Sequence, residues 1–170
     1  MENRTSRRNI TVFGHRGARG IYPENTMAGF QYLQDIGINA VEFDVQNAAN
    51  RLTVIAHDPH VPMPDGANGE MRSQLIRHTK ATDLTKLKVG ALRPGSNYAI
   101  QFPDQARLPD ARIPTFATFC TWAAQHPLLM LNVEVKSHAE RADLYDPPEM
   151  IVSDVVDLLE KYNLCHRCVL

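Results

Sequence analysis

The chain has 170 residues, and its 18 basic and 19 acidic residues give a formal net charge of -1. This balance argues against a generic nucleic-acid binder, which needs surplus Lys and Arg, and the 44% hydrophobic content is that of a globular protein. No apolar run approaches the roughly 20 residues that cross a bilayer, no signal peptide is visible, and three cysteines are too few for a disulfide framework. We therefore expect no membrane span and a cytoplasmic location.

The first predicted elements are a strand and a helix. Residues 10–13 form a short apolar, β-branched run, which predicts a buried strand. A helix follows, which Asn25 or Thr26 can cap and which Gly37 ends. Its apolar residues keep roughly to one face, and they are Met27, Phe30, Leu33 and Ile36.

Two further strands and a less regular segment come next. Residues 40–45 alternate apolar and polar side chains at period two, and residues 52–56 do so in part, so both predict strands. Residues 59–112 carry many of the prolines and glycines, and only a short helix near 82–88 is expected there. We interpret 59–112 as an inserted, lid-like segment.

Regular periodicity returns in the last third of the chain. A helix capped by Thr115 stops before Pro127, and residues 129–135 predict a strand. Residues 147–162 predict a strongly amphipathic helix, after which a new strand begins at 169–170. Alternation of this kind predicts right-handed βαβ crossovers and a mostly parallel sheet.

The predicted fold is an α/β fold of the (β/α)8 TIM-barrel type with only about its first half present. A closed barrel usually needs about 250 residues, and this chain supplies three or four strands. Residues 9–170 are predicted to form this partial barrel domain, with residues 1–8 as a short polar extension. We expect the N-terminal portion of a longer enzyme, or a truncated product, whose open sheet edges would permit self-association.

Acidic residues lie on the predicted strands at positions that share a face. Glu42 and Asp44 are two residues apart and leave the same face, and Glu134 and Lys136 repeat this arrangement on a later strand. Three converging carboxylates repel one another unless a cation or protons neutralise them, and hard oxygen ligands favour Mg²⁺ or Ca²⁺. The alternatives are a solvated strand face for the first pair and a simple ion pair for the second.

Two histidines follow predicted strands. His15 comes after the first strand, and His57 after 52–56, close enough to Asp44 for the chain to return beside its origin. A histidine can give or take a proton near neutral pH. Two histidines beside a metal, with Arg16 to hold an anion, suit the cleavage of a phosphodiester.

These residues resemble a known family, the glycerophosphodiester phosphodiesterases, over about residues 12–136 and on through the last helix. Each motif is weak by itself, but the ordered set is specific. The motifs are Gly14-His-Arg-Gly17, Pro23-Glu-Asn-Thr26, Glu42-Phe-Asp44, His57-Asp58, Ile113-Pro-Thr115 and Glu134-Val-Lys136.

The resemblance implies a (β/α)8 barrel and a metal-dependent hydrolase that splits glycerophosphodiesters into glycerol 3-phosphate and an alcohol. In that family a glycerol hydroxyl of the substrate attacks phosphorus first, and water then opens the cyclic phosphate. The implied site comprises the acid/base pair His15 and His57, the metal ligands Glu42, Asp44 and Glu134, and the phosphate-binding residues Arg16 and Lys136.

The sequence departs from the family in two places. Residues 60–69 replace a Thr-Thr-Gly-rich stretch, and the later barrel strands are absent. A non-catalytic fragment or phosphate- and metal-binding module, and a phospholipase-type enzyme acting on lysophospholipids, therefore remain alternatives. Cys165 and Cys168 have the spacing of a redox pair or half a zinc site, and their role stays open.

Overall fold

The computed structural model describes residues 10–64 and 71–170, so the predicted 1–8 extension lies outside the described residues. The helices are α1 (Met27–Asp35), α2 (Ala81–Leu84), α3 (Asn97–Gln101), α4 (Phe116–Ala123) and α5 (Pro148–Lys161). The strands are β1 (Ala40–Asn47), β2 (Thr53–Ile55), β3 (His60–Pro64), β4 (Met71–Leu75), β5 (Met130–Val135) and β6 (Cys168–Val169). Among the described residues, no helix combines the length and the apolar composition that crossing a bilayer requires.

The main sheet has the strand order β2-β1-β5-β6 and contains both parallel and antiparallel pairs. β1 runs parallel to β5 over the pairs from Ala40–Met130 to Val45–Val135, and β6 is parallel to β5. β2 is antiparallel to β1, because a short connection after Asn47 allows a hairpin but not a crossover. The fold is therefore mixed α/β, and the predicted parallel pairing is confirmed for β1, β5 and β6.

The principal core lies between this sheet and the helices α1, α4 and α5. Val41, Phe43 and Val45 alternate along β1 and are all buried in this core. The ring centroid of Phe43 is 4.3 Å from that of Phe119 and 5.8 Å from that of Phe30. Because neighbouring residues of a strand point to opposite faces, this core fixes where the polar residues between them point.

Both predicted helix caps are present. The Thr26 hydroxyl accepts a hydrogen bond from the Gly29 N–H at 3.3 Å, and the Thr115 hydroxyl accepts one from the Thr118 N–H at 3.1 Å. Ile36, which the sequence predicted on the same helical face as Met27, Phe30 and Leu33, lies outside α1. Ile36 follows the last helical residue, and it is 51% exposed.

The predicted buried strand at residues 10–13 was wrong. Ile10 and Val12 are 84% and 66% exposed, and only Gly14 forms a bridge, with Val41. The reason is geometric: β1 begins at Ala40, so the part of β1 that β2 leaves unpaired meets this segment only at Gly14.

Residues 59–112, which we call the excursion, contain more regular structure than the sequence indicated. β3 and β4 form an antiparallel pair, and a short 3₁₀ helix over Ile76–His78 follows. The sequence did not predict this pair because β3 contains two prolines, which usually argue against a strand. Proline is tolerated here because β3 lies in a two-stranded sheet and so has a free edge. The predicted helix near 82–88 is α2, and a second apolar cluster lies beneath the segment, formed by Ala48, Val54, Val61, Ile76, Ala81, Leu84 and Ile113.

Candidate active site

Three carboxylates meet on the face of the sheet opposite the aromatic core. Asp44 on β1 is directly paired with Glu134 on β5, and Glu42 precedes Asp44 by two residues on the same face. One oxygen from each of the three lies within 4.8 Å of the others. Asp44 is fully buried and the Glu42 side chain is 11% exposed, so the solvated-face alternative does not describe this pair.

The donor set fits a hard cation. Within the described part of the chain, the buried Oε1 of Glu42 and Oδ1 of Asp44 have no hydrogen-bond partner. The nearest cation to the latter atom is the Lys136 ammonium, 3.1 Å away, which also donates to Glu134 Oε1 at 2.5 Å. Buried carboxylate oxygens without donors are costly unless a cation approaches them, so the cluster could hold a metal ion with oxygen preference.

The electrostatics of the cluster agree with this reading. Burial raises the pKa of the Glu42 carboxyl above its ordinary value, and the charge on Asp44 adds to the shift, while the Arg16 N–H opposes it. Burial lowers the pKa of Lys136, but its hydrogen bond to Glu134 and the charge on Asp44 outweigh this, and the pKa is raised. The ammonium therefore stays charged beside the carboxylates.

Arg16 lies at the edge of this cluster in a strained backbone conformation, with φ of 51°. Its N–H donates to Glu42 Oε2 at 2.8 Å, and its Nε lies 3.3 Å from Asp44 Oδ2. Its Nη1 donates to both oxygens of Glu24, at 3.0 and 3.2 Å. The guanidinium is thus oriented by two carboxylates, those of Glu24 and Asp44.

Asn25 is a site residue whose role the sequence analysis assigned only to the loop and helix cap. It is buried, with φ of 55°, and its Nδ2 donates to Asp44 Oδ2 at 2.8 Å. It therefore orients a candidate metal ligand, while Thr26 supplies the cap. The motif Pro23–Thr26 was the available signal, because it contains a side-chain amide directly before the cap.

His15 lies beside the carboxylates and remains accessible. Its Nε2 is 3.7 Å from Glu42 Oε2, and its side chain is 58% exposed. The sequence therefore placed this histidine correctly relative to the acidic cluster.

His57 follows β2, and the backbone brings it back towards β1. The N–H of Ala56 donates to the Asp44 carbonyl at 3.0 Å, so the predicted return of the chain is confirmed. The His57 Nδ1 lies 2.7 Å from Asp58 Oδ1. In the part of the chain that the structure describes, its ring makes no hydrogen bond or ion pair with Glu42, Asp44 or Glu134.

A cavity of about 380 Å³ adjoins His57. One wall comes from the loop before α1, with Glu24 and Asn25, and the other from the excursion, with Tyr98. Much of the remaining lining is apolar, including Ile55, Val61, Val89, Leu92 and Ile113. Residues of the excursion therefore lie against the candidate site.

The Cys165–Cys168 pair does not join this site. Cys165 is exposed, and burial raises the pKa of the Cys168 thiol to about 11. Of the residues that the structure describes, only the three carboxylates form a group of three or more metal-ligating side chains.

Comparison with known proteins places these features in one family. A profile of the glycerophosphoryl diester phosphodiesterase family matches residues 15–167. Among similar curated proteins, a glycerophosphodiester phosphodiesterase of Caldanaerobacter subterraneus subsp. tengcongensis is 27% identical, over 94% of this chain and 56% of its own. The bovine glycerophosphodiester phosphodiesterase 1 is 26% identical, over 78% of this chain and 36% of its own.

Solved structures agree. A candidate glycerophosphoryl diester phosphodiesterase of Silicibacter pomeroyi DSS-3 is 29% identical with a TM-score of 0.82, over 94% of this chain and 56% of that one. An Oleispira antarctica phosphodiesterase in complex with the product sn-glycerol-3-phosphate is 25% identical with a TM-score of 0.65, over 90% and 53% of the two chains. The chain spans about half the length of the curated relatives it matches across most of its own length. Because the profile covers it from its first histidine almost to its last residue, the chain belongs to the glycerophosphoryl diester phosphodiesterase family.

Proposed function

We propose that this chain carries the catalytic centre of a divalent-metal-dependent enzyme that hydrolyses glycerophosphodiesters to glycerol 3-phosphate and an alcohol. The observation that carries the proposal is the convergence of Glu42, Asp44 and Glu134 from two parallel strands, with His15 beside them. We further propose that the fold is about the first half of a (β/α)8 barrel, with the site at the carboxyl ends of its strands.

The three carboxylates would hold Mg²⁺ or Ca²⁺, a proposal supported by their convergence and by the unpartnered oxygens of Glu42 and Asp44. The ion, when bound, supplies positive charge that stabilises the negative phosphoryl oxygens in the transition state. Arg16 and Lys136 add two further cations, and both are already held against Asp44. We assign to them the binding and orientation of the substrate phosphate.

The two histidines would carry the proton transfers. In the tautomer that donates from Nδ1 to Asp58, 2.7 Å away, the Nε2 of the His57 ring can accept a proton. The Nε2 of His15 lies 3.7 Å from Glu42 Oε2, beside the proposed metal ligands, and its side chain is open to solvent. We therefore assign His57 as the base and His15 as the acid.

The proposed reaction has two steps. The base takes the proton of a glycerol hydroxyl, whose oxygen attacks phosphorus, while the acid donates a proton to the alcohol that leaves. Water then opens the cyclic phosphate with the two proton transfers reversed, which gives glycerol 3-phosphate. This use of two histidines matches the general requirement for groups that exchange protons near neutral pH.

The test is release of glycerol 3-phosphate from glycerophosphocholine by purified protein with added Mg²⁺ or Ca²⁺. Activity should disappear in chelator and return with either metal, and His15→Ala and His57→Ala should each lower kcat by about 10²–10⁴-fold. His126→Ala is the matched control, since this histidine lies on the far side of the core beside Trp122. Undiminished activity in both site variants would refute the assigned roles.

A second substrate class is lysophospholipids. The human lysophospholipase D GDPD1 is 24% identical over an alignment that covers 91% of this chain and 42% of its own, and the cavity beside His57 has an apolar lining that suits an acyl chain. Comparing kcat/KM for glycerophosphocholine and lysophosphatidylcholine decides between them. A higher value for the lipid substrate would favour this second class.

A further inference from the structure

A polar cluster around Tyr98 fastens the excursion to the loop that carries Arg16. Tyr98 lies on α3, and its hydroxyl donates to Glu24 Oε2 at 2.6 Å and accepts from Arg19 Nε at 2.8 Å. The Arg19 guanidinium lies 4.8 Å from the centroid of the Tyr98 ring and 5.2 Å from that of Phe102. The hydroxyl and the ring therefore make separate contacts with this loop.

Glu24 extends these contacts to the candidate active site. Its Oε2 accepts from Tyr98 and from Arg16 Nη1, and Arg19 Nε lies 3.1 Å from the same oxygen. Arg16 in turn contacts Asp44 and Glu42. A continuous set of hydrogen bonds and ion pairs thus runs from the excursion to two candidate metal ligands.

The Glu24 side chain needs this support, because it is 26% exposed and long enough to adopt other rotamers. Burial raises the pKa of the Tyr98 hydroxyl above its ordinary value, and the hydrogen bond to Glu24 adds to the rise. The Tyr98 hydroxyl therefore stays protonated, and can donate its hydrogen bond to Glu24, throughout the pH range in which proteins are commonly studied.

We infer that Tyr98 is a positioning residue: by holding Glu24 it fixes the guanidinium of Arg16 and so couples the excursion to the phosphate side of the site. The link to phosphate rests on the proposed function, whereas the hold on Arg16 does not. Fixing a binding group in advance strengthens binding, because less conformational freedom is lost when the ligand arrives.

The first test needs no ligand. In ¹H–¹⁵N spectra of the protein, Tyr98→Phe should shift or broaden the Arg16 Nε–H signal, although the phenylalanine ring can still lie against Arg19. The control is Tyr162→Phe, which removes a tyrosine hydroxyl that accepts from Thr121 at 3.1 Å, away from the site. The control should leave the Arg16 signal unchanged, and an unchanged signal in Tyr98→Phe would overturn the inference.

The second test measures binding of sn-glycerol 3-phosphate in the presence of Ca²⁺ by calorimetry. Tyr98→Phe should weaken binding about 2- to 12-fold, the loss expected when one hydrogen bond of ordinary strength is removed. In a Glu24→Gln background the same change should have much less effect, because Tyr98 acts through the Glu24 carboxylate. Full additivity of the two losses, or no loss in Tyr98→Phe, would contradict the coupling.

These readouts also separate the two proposals. If the unaltered protein bound no glycerol 3-phosphate, the proposed function would be contradicted, and the ligand-free Arg16 signal would still decide the role of Tyr98.

Discussion

The scaffold, meaning the sheet with α1, α4 and α5, and the excursion are stabilised in different ways. The scaffold has a continuous buried core centred on the rings of Phe30, Phe43 and Phe119, and its two middle strands, β1 and β5, pair over six residues each. The excursion has a smaller apolar cluster and depends on polar bridges such as the one between Tyr98 and Glu24. The scaffold therefore fixes the carboxylates, and the excursion contacts the loop that carries Glu24 and Arg16, to which we assign phosphate binding.

The largest effect is expected at the centre of the scaffold. Phe43→Ala removes a fully buried ring that contacts Phe30, Phe116 and Phe119, and should lower the free energy of unfolding by about 3–5 kcal/mol. Urea denaturation measures the change. Val12→Ala, at a 66% exposed position, is the control and should change it by less than about 0.5 kcal/mol.

The excursion should respond more locally. Leu84→Ala opens a cavity in the second cluster and should cost about 2–5 kcal/mol there. Hydrogen exchange should speed up around α2 and the 3₁₀ helix, while β1 and β5 keep their protection. Equal loss of protection in β1 would show that the two regions unfold as one unit, and Leu128→Ala, 75% exposed, should leave both unchanged.

The sequence predicted the scaffold better than the excursion, for physical reasons. Period-two alternation at residues 40–45 and the threonine caps are local signals, and a buried strand and two capped helices follow from them directly. Whether residues 10–13 pair with β1 depends instead on where β1 begins, which is a property of the assembled sheet.

The same contrast holds within the candidate site. The shared face of Glu42 and Asp44 follows from strand geometry, so their meeting with Glu134 was predictable. The roles of Asn25 and Tyr98 depend on contacts between segments 19 and 74 residues apart, and one sequence contains no signal for such pairings.

Removing the side-chain amide of Asn25 tests whether the loop before α1 helps the scaffold to orient Asp44. Asn25→Gly keeps the left-handed backbone conformation and deletes the donor to Asp44, so divalent-metal affinity should fall about 10- to 100-fold. Calorimetric titration with Ca²⁺ measures this. Asn163→Gly makes the same change at another left-handed position, after α5, and should leave the affinity unaltered.

A smaller effect is expected from pH in the metal-free protein. Because the folded-state pKa of Glu42 is raised, its protonated form stabilises the folded state. This stabilisation is fully present below the ordinary pKa of about 4.3 and is lost as pH rises through the raised pKa. The unfolding free energy of the unaltered protein should therefore fall, relative to that of Glu42→Gln, as pH is raised from 4 to 7. A difference that stayed constant or grew would contradict the assigned shift.

The most direct test of the central claim is anomalous diffraction from crystals of the protein soaked in Mn²⁺, an ion that also prefers oxygen ligands. The account predicts one strong anomalous peak within bonding distance of the Glu42, Asp44 and Glu134 carboxylates. The Lys136 ammonium should be displaced from its position between Asp44 and Glu134. A strong peak elsewhere, with the Lys136 ammonium still between Asp44 and Glu134, would contradict it.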